Sequence, residues 1–359
     1  MFVSLMSILL LVFGLLILIV VSIDVLITTL TVGGGGPLTS RISAWLWRIA
    51  LQIHRWRSHH RLLLFTGWLI LVTVAVLWFA LTWVGWTLIF SADQTAVVTP
   101  KKLPATTLER IYFVGYTIAT LGMGSYNPQG AIWEITTAIA SVNGFFLVTL
   151  TIAYLLPVVS AATQQRQLAV YISALGGTAD EIIVRAWNGK DFGQFDQHLI
   201  ALTPMLAQQG ELHLTYPILH YFHSIERTRS ITLSLVALDE ALTILEYGIK
   251  TSSQPDPAAL GAARRASAAY LKTLKSAYLE PASENPPLPS LERLRGKGIP
   301  TVSDRQFWDA TKHVTKRRRL LLALIHNDGW VWDAIASIKT TNRATTLDDQ
   351  TTIDKVILH

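Results

Sequence analysis

Three apolar runs limit what this chain can fold into. They extend from Val3 to Leu30, from Leu62 to Phe90 and from Ala131 to about Ala161. Each exceeds the roughly 20 apolar residues that carry a helix across a bilayer core, with length to spare for tilt. The first is interrupted only by Asp24, has no basic residues ahead of it and outlasts the apolar core of a cleavable signal sequence. It reads as a retained helix. The chain is 51% hydrophobic and 15% charged, against roughly 25% charged in soluble domains. Residues 1–162 hold four acids and eight Lys or Arg, while residues 163–359 hold 20 acids and 22 basic residues. A membrane part is therefore joined to a water-soluble part of one-domain size. The formal charge of +6 reads as membrane topology, not nucleic-acid binding. With no cysteine, disulfides and thiolate chemistry are excluded.

Loop charge sets the expected orientation. Arg41, Arg48, Arg55, Arg57 and Arg61 lie between the first two runs with no acid among them, which marks a cytoplasmic loop. The N-terminus is then outside and everything after residue 162 is cytoplasmic, as in a multi-pass protein of the plasma (inner) membrane. Trp83 and Trp86 fall near the outer end of the second run, and Trp45, Trp47 and Trp56 in the inner loop, as interfacial rings prefer. Gly33–Gly36 and Pro37 end the first helix. Residues 40–58 form either a helix lying on the inner leaflet or an ordinary connecting helix.

Between the second and third runs stands Thr120-Leu121-Gly122-Met123-Gly124. Glycine-rich backbone between two spanning helices is tolerated only where it lines something wet or ionic. Glycine takes positive φ without steric cost, so glycine at alternate positions suits a stack of carbonyls facing one axis. The carbonyls of Thr120, Leu121, Gly122 and Met123 would face ions, with the Thr120 hydroxyl closing the inner end. One chain supplies one wall, so a pore on a fourfold axis needs four. A helix over about Thr106–Ala119 would aim its negative C-terminal end at the pore cavity.

The stretch from Tyr112 to Pro128 resembles the pore loop of tetrameric potassium channels, especially prokaryotic ones with two helices around one loop. Thr120, Leu121, Gly122 and Gly124 match that signature, and Tyr112, Phe113 and Tyr116 stand where aromatics support the filter. Pro128 and Gly144 also fall in register, Gly144 at the position of the inner-helix hinge glycine. Two positions depart: Met123 replaces the aromatic and Ser125 the acid behind the outer mouth, with Tyr126 next to it. The resemblance covers about residues 60–162 and implies a homotetramer with K⁺ as permeant ion and no other cofactor. The departures leave a non-selective monovalent cation channel as an alternative, and a non-conducting membrane sensor or scaffold as another.

Other residues of the membrane part carry weaker readings. No run has Arg or Lys at three-residue spacing, so a voltage sensor is not expected. Asp24 is expected either to pair with Arg41 and its neighbours or to act in gating or proton sensing. Glu134 is a solvated helix end or an outer-vestibule acid. Thr136, Thr137, Ser141, Asn143, Thr149 and Thr151 suit a wetted face or close helix contacts, and Pro157 would kink or end the third helix.

Residues 163–359 read as helical. Residues 164–175 continue the third helix to Gly176-Gly177, and Thr178 with Glu181 opens another helix through a capping box. Helical periodicity covers 192–207, 213–228, 230–250 and 258–279, with Leu235, Leu238, Leu242, Leu245 and Ile249 along one face. Residues 281–300 read as a Pro-rich loop or mobile linker. Helices over 303–326 and 328–340 precede a polar tail. No Gly-x-Gly-x-x-Gly, P-loop or EF-hand spacing is present, and no nucleophile–base pattern stands out, so an enzyme is not expected. His213, His220 and His223 with Glu226 read either as a transition-metal group or as a helix surface. Lys316–Arg319 read as contacts for anionic lipid, a solvated face, or partners for acids of a neighbouring subunit.

The expectation is an all-α membrane protein with three transmembrane helices, a re-entrant pore loop and a helical cytoplasmic domain. Its parts are the N-terminal helix (1–31), a basic cytoplasmic linker (32–61), the pore module (62–162) and the cytoplasmic domain (163–359). The lipid bilayer and an unidentified cytoplasmic ligand or partner complete its surroundings.

Overall fold

The computed structural model describes residues 5–57, 60–122, 124–277 and 279–336. Met123, the fourth residue of the glycine-rich motif, and the polar tail lie outside them, as do residues 337–340 of the expected last helix.

Three helices are long and apolar enough to cross a membrane. They are α1 (Leu5–Leu30), α3 (His60–Ser91) and α5 (Ala131–Leu175), with α2 (Pro37–Arg57) between the first two. α1 and α3 run antiparallel through small residues: a Cβ on Gly14 would stand 2.7 Å from the Gly85 carbonyl. Glycines at such a crossing let backbones approach closely where lipid supplies no hydrophobic drive. α5 is antiparallel to α3, with Trp86 near Asn143 at one end and Trp78 near Tyr154 at the other.

α5 is one helix of 45 residues, about 68 Å at 1.5 Å per residue. Pro157 neither ends nor interrupts it. The missing N–H costs one hydrogen bond, while Tyr154, Val158, Ala161 and Ala162 around it are buried against neighbours. Past the apolar stretch, Leu168, Ala169 and Ile172 enter the core of the C-terminal part.

α2 is a connecting helix and does not lie free. Its Trp47 indole donates to the Asn327 carbonyl at 3.3 Å and stacks obliquely on Tyr221, and the His54 ring contacts the Gly329 carbonyl. Its first turn is fixed by Asp24 of α1. That carboxylate accepts from the Leu38 and Thr39 N–H groups (2.7 and 3.2 Å), the Thr39 hydroxyl (2.6 Å) and the Trp78 indole (2.8 Å). These partners replace the arginine pairing expected for Asp24. A carboxylate at a helix N-terminus meets unpaired donors and the positive end of the dipole. Gly36 is required there, because a Cβ would collide with the Asp24 carboxylate.

Between α3 and α5 lie β1 (Val97–Val98), α4 (Thr107–Ile118) and β2 (Asn127–Pro128), the two short strands pairing antiparallel. The C-terminal part follows as α6 (Ala179–Ala186), α7 (Phe195–Thr215), α8 (Ile231–Tyr247), α9 (Pro257–Ala277), α10 (Glu292–Gly296), α11 (Asp304–Thr311) and α12 (Thr315–Asn327). Pro217 ends the helix expected over 213–228, leaving 3₁₀ turns at Pro217–Tyr221 and Arg227–Arg229. The helix expected over 303–326 is broken by a 3₁₀ turn at Lys312–Val314.

α8 is the axis of this part, buried all round from Thr232 to Leu245. It carries Asp239 and Glu240 into the core, where Arg317 and Arg318 of α12 meet them. Arg317 and Arg318 of the basic run therefore act as an internal clamp, while Lys316 is exposed. Arg318 also donates to the carbonyls of Pro286 and Pro287, and Arg319 to Ala282. The Pro-rich segment is thus tied down. Ile249 and Thr301 form a further bridge across its end.

Candidate functional site

The site is the connection from α4 to α5. α4 starts at Thr106, whose hydroxyl accepts from the Glu109 N–H, while Glu109 Oε2 accepts from the Thr106 N–H at 2.7 Å and its hydroxyl at 2.9 Å. This capping box satisfies donors that the first turn leaves open. The Thr106 donors, with Tyr126 adding to them, hold the Glu109 carboxyl below its ordinary range. The other oxygen, Oε1, accepts from the Tyr126 hydroxyl at 3.2 Å. The Tyr126 carbonyl in turn accepts from the Tyr116 hydroxyl at 3.0 Å. The segment leaving the glycine-rich stretch is therefore strapped to both ends of α4.

Aromatic packing supports the same helix. Phe113 is fully buried between Phe90 (5.2 Å between rings) and Tyr116 (5.5 Å), and Tyr112 faces Tyr116 (5.2 Å) and Tyr126 (6.0 Å). The Trp83 indole donates to the Ile111 carbonyl at 2.8 Å, and the Trp86 indole to Asn143 at 3.0 Å. Near the loop's outer turns, Asp93 accepts from Thr95 and from the Trp133 indole. Partial burial opposes its charge, yet these donors and the nearby Arg110 hold it below the usual carboxylate range.

α4 closes in a Schellman-type turn. The Thr120 N–H bonds back to the Thr117 carbonyl at 3.0 Å and the Leu121 N–H to Tyr116 at 2.9 Å. The residue at the left-handed position of such a turn is usually glycine; here it is Thr120, at φ +57°. Gly122 is also left-handed, at φ +66°. Left-handed backbone is uncommon for any residue with a Cβ and a true outlier for a β-branched one. Thr120, Leu121, Gly122, Gly124 and Ser125 are exposed, and among the described residues no hydrogen bond reaches the carbonyls of Thr120, Leu121 or Gly122.

The structure thus brings Tyr112, Phe113, Tyr116, Thr120, Leu121, Gly122 and Gly124 into one connection. Ser125 is exposed and makes no hydrogen bond among the described residues; its neighbour Tyr126 provides the anchor. Gly144 lies inside unbroken α5, where a Cβ would run into the Ile118 backbone, so its lack of a side chain seats the end of α4. Glu109, Asp93 and Trp133 are not among the residues the sequence points to, although the Thr-x-x-Glu pattern at 106–109 is an available signal; Asn143, expected at a wetted face or a close helix contact, makes such a contact with Trp86. The histidines do not form a metal group: among the described residues no three His, Asp or Glu side chains converge to hold an ion. His213 is buried and His220 partly buried instead, and desolvation pushes them down to about 3 and about 4 respectively.

Fold and site together define a mostly helical, multi-pass membrane protein. Neither a family model nor a solved structure matches the chain. Over 321 residues, 89% of this chain and 94% of the relative, it is 39% identical to "Uncharacterized membrane protein YdjJ" of Bacillus subtilis (strain 168). The chain belongs to the family of that membrane protein.

Proposed function

We propose that this protein is a passive cation channel, four copies of the chain surrounding a carbonyl-lined filter at residues 120–124, with K⁺ as the favoured ion. In this reading the α4 connection is a re-entrant pore loop, α5 lines the pore, and the N-terminus is outside the plasma membrane. The α6–α12 part is then a cytoplasmic domain. No catalytic role and no cofactor besides the permeant ion enter the proposal. One observation carries it: Thr120, Leu121 and Gly122 are exposed and their carbonyls accept no hydrogen bond among the described residues, with Thr120 itself held in a conformation that glycine would adopt freely. Backbone strain of this kind costs about 1–3 kcal/mol and persists where function needs the side chain or its carbonyl. A permeant cation would supply the missing partner for those carbonyls.

A second reading, a monovalent cation channel without K⁺ preference, draws on Ser125. Its side chain leaves the outer end of the motif unbraced, so the carbonyl ring is held at one diameter only through Tyr126. The experiment is cation flux into liposomes holding the full chain. Gly122→Ala, which puts a Cβ at φ +66°, is expected to abolish flux while the protein remains folded and tetrameric. Undiminished flux through Gly122→Ala would reject a filter at this position.

A further inference from the structure

A cavity of about 450 Å³ lies between the α1–α2 turn, the 3₁₀ turn at Pro217–Tyr221 and helices α2, α5, α7 and α9. That volume is within the range of small-molecule sites, roughly 300–1,000 Å³. Gly33–Gly35 form one wall. Ser40 and Ser43 of α2, Tyr154 of α5, His213 of α7 and Thr273 of α9 supply its polar surface, and Ile218 is part of its apolar lining. Among the described residues no Asp, Glu, Lys or Arg lines it. His213 is buried and stays neutral near pH 7, since burial pushes it down to about 3. The polar lining is therefore made of uncharged donors and acceptors.

Ser43 makes this a candidate site and not merely a void. Its hydroxyl is buried and has no hydrogen-bond partner among the described residues. A serine within a helix commonly returns its hydroxyl to the carbonyl one turn back, as Thr28, Thr29 and Thr66 do here. Ser43 does not, and an orphaned buried hydroxyl costs free energy unless something else bonds it. An anion is a poor candidate for that partner. The N-terminus of α2 already holds the Asp24 carboxylate, and no cation among the described residues lines the cavity.

We infer that this cavity binds the uncharged, hydroxyl-bearing head of a small amphiphile, of which a glycerol group is the simplest form. Hydroxyls of the ligand meet Ser43, Ser40, Thr273 and His213, and its carbon chain lies against Ile218. The cavity adjoins the end of the apolar α1, where a bilayer lipid can deliver such a head; a free polyol from water is the other source. The inference does not rest on the conduction reading, because binding is measured without any current.

The test uses the full chain in phosphatidylcholine nanodiscs, with radiolabelled 1-monooleoylglycerol and labelled glycerol as separate probes and oleate as the anionic control. Saturable binding of one monooleoylglycerol per chain, with oleate unable to compete, is expected. Glycerol binding at the same site would identify the free polyol as sufficient, and monooleoylglycerol binding alone would identify the lipid. Ser43→Ala is expected to weaken binding about three- to tenfold, the value of one neutral hydrogen bond, while the unliganded protein melts at the same or a higher temperature. Thr273→Val is expected to weaken binding in the same direction. The inference is overturned if neither probe binds saturably, if oleate competes equally, or if both variants bind as the parent does.

Discussion

Several acids of the membrane part and several of the C-terminal part are held in opposite ways. Asp24, Asp93 and Glu109 are bonded by neutral groups: backbone N–H, threonine hydroxyls, a tyrosine and two indoles. Asp180, Asp239, Glu240 and Asp304 are bonded by guanidinium groups. A paired arginine must itself be stripped of water, which its attraction repays only with good geometry and full hydrogen bonding. The C-terminal core meets that condition. Asp239 is reached by Arg317, Arg264 and Ser267, and Arg318 grips Glu240 through two bonds of 2.8 Å. Beside the apolar spans, dipoles already fixed in place hold Asp24 and Glu109 without a guanidinium contact, and Arg110 stands near Asp93.

The largest effect should come from breaking the charge balance of the core. Asp239→Asn takes the carboxylate from Arg317 and leaves Arg264 with Glu246, and a loss of about 3–5 kcal/mol is expected, read as a large fall in the melting temperature of the C-terminal part. Gly36→Ala tests the neutral arrangement, since its Cβ would overlap the Asp24 carboxylate. Overpacking of that kind should cost about 1–3 kcal/mol in a denaturant series, and a cost near zero would mean that Asp24 is free to move.

Thr120→Gly should act with the opposite sign. Relieving a left-handed β-branched residue is expected to stabilise by about 1 kcal/mol, while cation flux falls because the Thr120 hydroxyl is gone. A stabilised variant with unchanged flux would make the strain an accident of the helix cap. Tyr126→Phe should have the smallest effect, and one that depends on pH. Because the Glu109 carboxyl is held low in the folded chain, its contribution is full above the ordinary value of about 4.3. That contribution is lost as pH falls through the lower folded value. Tyr126→Phe should therefore lower loop protection in hydrogen exchange near pH 7 and change it little once Glu109 is protonated.

How much of this was legible depended on the distance in sequence over which each contact reaches. The three spans were visible as apolar runs, α8 as Leu235, Leu238, Leu242 and Leu245 on one face, and the start of α6 as Thr178 three residues before Glu181. These are local signals carried by spacing. Asp24 was visible as an acid in an apolar helix, but its partners lie 14, 15 and 54 residues away, and charge alone pointed to Arg41. Arg317 and Arg318 read as a surface run because their acids are 78 residues distant. Pro157 read as a kink or an end, and the helix continues through it because packed neighbours, which a local rule cannot see, hold it there. In the candidate site, the glycine spacing was plain, whereas the strap through Tyr116, Tyr126 and Glu109 needed the fold of the loop to bring them together.

The most direct measurement is the reversal potential of the purified full-length protein in planar bilayers under opposed K⁺ and Na⁺ gradients. The expected result is a cation current reversing near the K⁺ equilibrium potential; reversal near zero with robust current would support the second reading, a pore without K⁺ preference. The absence of current at every voltage, pH and divalent concentration would contradict conduction itself and leave a membrane sensor or scaffold whose loop is only structural.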